Sequence, residues 1–366
     1  MSKSKAKMLR EAEAAEAARV AEVAVAVAAV AAAGGASSGA PGAPGGPPAS
    51  VAASVAGLVA ASVAATGAAP AGPAPRKAPR LDPLSVRRQL RVEGLRAHHS
   101  MSQNFLADPD VLQSILDLAA PEPGRRILEV GPGLGILTSG LLDGGADVTA
   151  VELDRQLAGR LSRTQSEAIE RGALHLVQGD ILDQNIAKLM TPPYDVVANV
   201  PYHITSPILH RFLGAPPRPE RMVLMLQKEV AERISAAPGD MSYLSVFVQY
   251  HSAVRIAFVV PRDAFEPAPE VESAVVEITT LDPLGERPRL SPEDEEHLWR
   301  VVQAGFRERR KKLHNVLARQ LPFSGAEVAA ALDAAGIDGD RRPQTLSVEE
   351  WLALRITLGP ISGAAP

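Results

Sequence analysis

Residues 126–135, Arg-Ile-Leu-Glu-Val-Gly-Pro-Gly-Leu-Gly, constrain the fold more than any other stretch. Ile127, Leu128 and Val130 make a short apolar run, and Gly131, Gly133 and Gly135 follow at once. Beyond them the apolar residues recur at helical spacing. A strand that enters a glycine turn and leaves it as a helix lets a ligand approach backbone N–H groups at a helix N-terminus. A plain tight turn is the competing reading of the loop by itself. The spacing is G-x-G-x-G. Ile136 stands where a dinucleotide fingerprint needs its third glycine, so a pyrophosphate cofactor is disfavoured.

From residue 125 onward, short β-rich runs alternate with helical ones. The candidate strands are 126–130, 147–151, 173–178, 195–199, 222–227, 254–259 and 273–279, with helices such as 137–143 and 156–165 between them. This rhythm predicts an α/β, Rossmann-like fold with a mostly parallel seven-stranded sheet. The Pro-rich connection 261–270 is too short for a crossover helix, so the last two strands are expected to be antiparallel at one end of the sheet. Upstream, 84–94 has helical spacing with an arginine-rich face, and Asp108-Pro109 opens a second helix. After Pro283 the pattern is helical, with helices expected at 292–302, 305–320, 324–335 and 347–358. Ser291, Ser324 and Ser347 are the candidate N-caps.

Composition adds limits. Residues 1–80 are low-complexity, with Gly/Ala/Ser/Pro runs that cannot bury enough side-chain area to offset their ordering entropy. The expected division is a 1–80 tail, an 81–283 α/β domain and a 284–366 all-helical domain. Lys3, Lys5, Lys7 and Arg10 precede an Ala/Val run in the order of a signal peptide. Glu11, Glu13, Glu16, Arg19 and Glu22 interrupt it, so it reads as a charged Ala-rich helix or disordered tail, with export the lesser alternative. No transmembrane helix is expected. The absence of cysteine excludes disulfides, thiolate metal sites and a cysteine nucleophile, and fits a reducing cytoplasm. Net charge is −4, so any nucleic-acid contact must rest on local basic patches.

Two further strand ends carry acids. Glu152, about twenty residues past the glycine loop, can accept hydrogen bonds from both hydroxyls of a ribose. Asp180, in Gly179-Asp180-Ile181, can meet an adenine amino group. Three such loops at successive strand ends favour an adenosyl ligand without a pyrophosphate. The next strand ends in Asn199-Val200-Pro201-Tyr202. An exocyclic adenine amine is a poor nucleophile because its lone pair is delocalised into the ring. The Asn199 side-chain oxygen and the Pro201 carbonyl can accept its two hydrogens. Tyr202 can stack on the base, which is worth about 1–3 kcal/mol. This chemistry needs no metal and no covalent nucleophile. The bland alternative is a turn after a strand, with the tyrosine packed.

Gln103-Asn104-Phe105-Leu106, the 129–135 loop, Glu152, Asp180 and Asn199–Tyr202 together resemble the motif series of the ribosomal RNA adenine N6,N6-dimethyltransferases. The likeness is strongest to the small-subunit (16S) type and spans 84–358. The resemblance implies S-adenosyl-L-methionine as methyl donor and two adjacent adenines of the 3′-terminal hairpin as target. It implies a monomer acting on small-subunit RNA or a pre-30S particle in the cytoplasm, linked to ribosome biogenesis. It places Asn104 and Leu106 at the methionine end of the donor, Gly131 and Gly133 along its backbone, Glu152 on the ribose and Asp180 on the adenine. Asn199 would lie between donor and target amine. Phe265, in an element like F-x-P-x-P-x-V-x-S running to Ser273, would cover the target base opposite Tyr202. On its residues alone, Phe265 can equally be a packed core side chain. The sequence departs from the family at Val200, His203 and Glu270, where Leu, Asn and Lys are common.

The sharpest basic cluster is 307–312, Arg-Glu-Arg-Arg-Lys-Lys, expected on the 305–320 helix with Phe306, Leu313, Val316 and Leu317 on its other face. Arg309, Arg310 and Lys311 are the candidate phosphate contacts; a solvated helix face is the alternative. Arg87, Arg88, Arg91 and Arg96 form a second patch. Three other functions compete. They are methylation of large-subunit adenine, as in the macrolide-resistance enzymes, a catalytically silent ribosome-assembly factor, and a nucleotide-dependent oxidoreductase, which Ile136 disfavours.

Overall fold

A computed structural model describes residues 82–93, 103–285 and 289–361. The 1–80 tail, Arg96 and the low-complexity runs lie outside the described residues. Helix α1 (Pro83–Val92) starts on a capping box between Asp82 and Ser85. It is followed by the two-residue strand β1 (Phe105–Leu106) and by α2 (Pro109–Ala119), which Asp108 caps through the N–H groups of Asp110 and Val111. The alternation then runs β2 (Arg126–Val130), α3 (Ile136–Asp143), β3 (Asp147–Glu152), α4 (Arg155–Thr164), α5 (Ser166–Glu170), β4 (Leu174–Gln178), α6 (Ile186–Leu189), β5 (Asp195–Asn199), α7 (Thr205–Leu213) and β6 (Arg221–Gln227). Helices α8 (Lys228–Ile234) and α9 (Tyr243–His251) lead into β7 (Ser252–Val260), β8 (Phe265–Glu266) and β9 (Ser273–Thr280). The C-terminal helices are α10 (Pro292–Phe306), α11 (Leu313–Gln320), α12 (Gly325–Ala334) and α13 (Val348–Leu358).

The seven-stranded sheet has the order β4-β3-β2-β5-β6-β9-β7. It is parallel through β6, and β9 lies antiparallel between β6 and β7. Burial explains why its central strands read as unbroken apolar runs. In β6, Met222, Leu224 and Leu226 enter one core cluster while Val223 and Met225 enter the cluster on the other face. Helices cover both faces, so side chains on each are withdrawn from water. A third cluster gathers α10 to α13 around the fully buried Trp351 and takes in Met241, Val246 and Tyr250 from the α8–α9 region. The Ser291, Ser324 and Ser347 caps all form; the last two are capping boxes with Glu327 and Glu350.

At the N-terminal edge of the strands, Asp195 is 2% exposed and is held by Arg125 at 2.6 Å and Arg221 at 3.2 Å. The opposite edge, where β2, β3, β4 and β5 end, carries the cleft.

Two expectations are corrected. The 305–320 helix is broken: α10 ends at Phe306, 307–312 form a turn, and α11 starts at Leu313. The amides of Leu313 and His314 donate to the carbonyls of Arg341 (2.8 Å) and Gly339 (3.1 Å), so neither is free to continue a helix from α10. The basic cluster therefore sits on a turn, where its like charges can spread apart. Phe265 is the second correction. It is 2% exposed and packs with Leu106, Val260, Ala264 and Val275 in the core instead of lining the cleft. Residues 265–266 pair antiparallel with β1, Leu106 opposite Phe265, and this pairing turns both side chains inward.

Candidate active site

Five chain segments meet at the C-terminal edge of the sheet. They are 103–106, the 129–137 loop and helix start, the end of β3, 179–181 after β4, and 199–204 after β5. The last four end or follow parallel strands whose register is fixed by their neighbours, and 103–106 leads into β1, which pairs with β8, so residues distant in sequence fall together.

The glycine loop is tied down by backbone and side chain. Gly131 N–H donates to the Val151 carbonyl (2.9 Å) and Gly135 N–H to the Pro132 carbonyl (2.9 Å). Gly133 N–H donates to Glu152 Oε2 at 2.9 Å. Gly133 has φ +58° and Gly135 φ +77°, a region that other residues enter at a cost. A Cβ on Gly133 would lie 3.3 Å from the Phe105 ring, and one on Gly135 only 2.5 Å from Leu161 Cδ1. Gly133 therefore borders the cleft without a side chain, and Gly135 lets Leu161 pack against the turn.

The carboxylates follow in order. Glu152 is buried and accepts a second N–H from Asp154 at 2.8 Å. Burial raises its pKa, and the N–H groups of Asp154 and Gly133 pull it back. Each carboxylate oxygen holds one protein donor and retains capacity for another, such as a ribose hydroxyl. Asp180 borders the cleft and accepts from Leu182 N at 2.9 Å, which fixes its side chain at the start of a turn. Glu129, in β2 and 1% exposed, borders the same cleft; its pKa is raised to about 8, chiefly by burial and in small part by Glu152, with the neighbouring Thr138 opposing the rise. Its Oε2 has no partner among the described residues.

After β5, Asn199 Nδ2 donates to the Asn104 carbonyl at 3.1 Å. That bond commits the NH2 end of the amide and leaves the oxygen as its acceptor. The Pro201 carbonyl accepts from Ile204 N at 3.1 Å, which opens the turn holding Tyr202. Tyr202 is half-buried and lines the cleft; its hydroxyl shares a 2.8 Å hydrogen bond with Ser273. Burial raises its pKa, so it stands as a neutral phenol. Val200 is 1% exposed; it packs in the core and also borders the cleft.

The cleft thus joins Asn104, Leu106, Gly131, Gly133, Glu152, Asp180, Asn199, Pro201 and Tyr202. Phe265 and the Arg309–Lys311 group stand outside it. Arg309, Arg310 and Lys311 are exposed on their turn, and Arg309 also reaches the Met241 carbonyl at 3.4 Å. Sequence reasoning placed Glu129 and Ser273 within motifs but gave neither a role. An acid inside an apolar run just before a glycine loop, and a serine closing the Phe265–Ser273 element, were the available signals.

A family model for ribosomal RNA adenine dimethylase matches residues 94–358. The chain belongs to the ribosomal RNA adenine dimethylase family. Enzymes of this family take the methyl group from S-adenosylmethionine, and the residues here fit it: two carboxylates at adjacent strand ends, Gly131 and Gly133 bordering the cleft, and a buried Glu129 oxygen with no partner among the described residues. Among curated proteins, the chain is 40% identical to the ribosomal RNA small subunit methyltransferase A of Moorella thermoacetica, over 74% of this chain and 95% of that one. It is 42% identical to the protein of the same name from an Anaeromyxobacter strain, over 72% and 94%. Among solved structures, it is 30% identical to the 23S rRNA methyltransferase ErmE, with TM-score 0.56 over 70% of this chain and 99% of that one. A dimethyladenosine transferase from Plasmodium falciparum shares the fold at TM-score 0.57 and 23% identity, over 68% and 95%.

Proposed function

We propose that this adenine dimethylase acts on small-subunit ribosomal RNA, methylating the N6 amines of two adjacent adenines in the 3′-terminal hairpin, with a maturing small-subunit particle as its substrate. The observation that carries the reading is the convergence of the Asn199 amide, the Pro201 carbonyl and the Tyr202 ring on the cleft that also holds Glu152 and Asp180. The 40–42% identity to proteins named for the small subunit, against 30% to a 23S enzyme, supports the RNA assignment.

When bound, S-adenosylmethionine supplies a methyl group made electrophilic by its sulfonium. Glu152 would hold the ribose hydroxyls and Asp180 the adenine edge, with Asn104, Leu106 and the Gly131–Gly133 turn bordering the remainder. Asn199 Oδ1 and the Pro201 carbonyl accept the two hydrogens of the target amine, which turns its lone pair toward the methyl. Tyr202 stacks on the extruded base, anchored by Ser273. The rate gain comes from holding the reactants in line. The 81–283 domain carries this chemistry, and the 284–366 domain contributes phosphate contacts through Arg309, Arg310 and Lys311.

The test is primer extension on both ribosomal RNAs after incubation of the full chain with donor and particles from unmethylated cells. Stops at two adjacent adenines near the small-subunit 3′ end are expected. Stops confined to large-subunit RNA would overturn the assignment, and no stops on either would favour a silent assembly factor.

A further inference from the structure

Arg160, on α4, is 7% exposed. Its Nη1 donates to the Leu134 carbonyl at 2.6 Å, and its Nε donates to Glu93 Oε2 at 2.5 Å. Leu134 belongs to the glycine loop and borders the cleft. Glu93 caps the C-terminal end of α1, whose Val86 and Leu90 pack on Phe105, Leu134 and Leu157. At its other side, Arg87 holds Glu266 of β8 through two bonds of 2.8 Å. Two arginine–carboxylate pairs thus fasten α1 across the site, one toward the glycine loop and one toward the β1–β8 ribbon.

A buried guanidinium is a costly way to hold a helix that already packs through Val86 and Leu90, because hydrocarbon of the same volume would do that without desolvating a charge. What hydrocarbon cannot do is fix the direction of a carbonyl. The Leu134–Gly135 peptide is held at both ends: its C=O by Arg160, and its N–H by the Pro132 carbonyl at 2.9 Å. Glu152 holds the Gly133 N–H of the same loop at 2.9 Å. A cation and an anion therefore each hold the loop by its backbone, Arg160 at a carbonyl and Glu152 at an N–H.

We infer that Arg160 is a positioning residue for the methyl donor. It acts through the Leu134 carbonyl to hold the glycine loop in its binding shape, and the Glu93 carboxylate of α1 fixes the guanidinium for that task. Docking of α1 and affinity for the donor are then coupled. The inference rests on reading the cleft as the donor site, but not on which RNA is methylated.

The experiment is titration calorimetry of S-adenosylhomocysteine, the demethylated product, into the full chain, with steady-state kinetics alongside. Arg160→Met is expected to weaken binding and raise KM for the donor by about tenfold, the loss of one charge-assisted hydrogen bond, while kcat stays near wild type. Arg160→Lys, which can reach one acceptor, is expected to recover part of the affinity. Glu93→Gln is expected to fall between Lys and wild type. Arg163→Met, an exposed arginine one position before Thr164 on the same helix, is expected to change nothing. Should Arg160→Met destroy the fold, Arg160→Lys and Glu93→Gln decide. Wild-type affinity in those variants overturns the inference, as does a fall in kcat without a change in donor KM. A wild-type chain that fails to bind S-adenosylhomocysteine at all overturns the donor-site reading and the inference with it.

Discussion

Glu129→Gln tests the electrostatics of the cleft directly. Glu129 is 1% exposed, and burial raises its pKa from 4.5 to about 8. The folded protein therefore keeps a proton that the unfolded chain has already lost over that range, and unfolding releases it. Where the unfolded state binds fewer protons, stability falls as pH rises. At about 1.4 kcal/mol per pH unit, this one carboxyl costs about 3 kcal/mol by neutral pH and about 5 kcal/mol once pH passes the folded value. Glutamine keeps the shape and does not titrate. It places an amide where Oε2 now has no partner, an offset of about 1–3 kcal/mol that does not depend on pH. The slope is thus the cleaner reading than the absolute stability. Urea unfolding of wild type and variant would be measured between about pH 5.5 and about pH 8, and wild type is expected to lose about 3 kcal/mol more than Glu129→Gln across that window. Titrating groups other than Glu152, which couples weakly to Glu129, act alike in both proteins and cancel. Parallel stability profiles would refute the claim that Glu129 is held protonated by burial.

Asn199→Ala is expected to abolish methyl transfer while donor binding persists, and Glu152→Ala to weaken donor binding by calorimetry; full transfer activity in Asn199→Ala would remove the role proposed for it. Tyr202→Phe removes the Ser273 hydrogen bond and keeps the stacking face, so transfer should survive with about 1 kcal/mol less stability, whereas Tyr202→Ala should be inactive. Phe265→Ala should cost about 3–5 kcal/mol in thermal or urea unfolding, as a large-to-small core change, with RNA KM unchanged in whatever protein remains folded. Neutralising Arg310 and Lys311 together should lower RNA affinity and reduce the slope of log affinity against log salt by about 2, as filter binding at several salt concentrations would report.

Much of this protein could be read from one dimension because the signals involved are local. Apolar runs of strand length, the caps at Asp108, Ser291, Ser324 and Ser347, and the positive-φ turn at Gly131–Gly135 each depend on residues within a few positions. Glu152, Asp180 and Asn199 could be assigned to one site because parallel strands must present their C-terminal ends on a common edge. Tertiary contacts decided the rest. For Phe265 the resemblance implied a base-covering role and its own residues equally allowed a packed core side chain; pairing with Leu106 turned it into the core. The helix expected over 305–320 broke because 339–341 captured two of its amides. Arg160 finds its acceptors 26 and 67 residues away, and nothing near it in sequence marks it as different from Arg163. Local chemistry specified the elements and the strand-end residues; which side chain a given carbonyl or ring meets depends on the packing of distant segments, and only the folded chain brings those together.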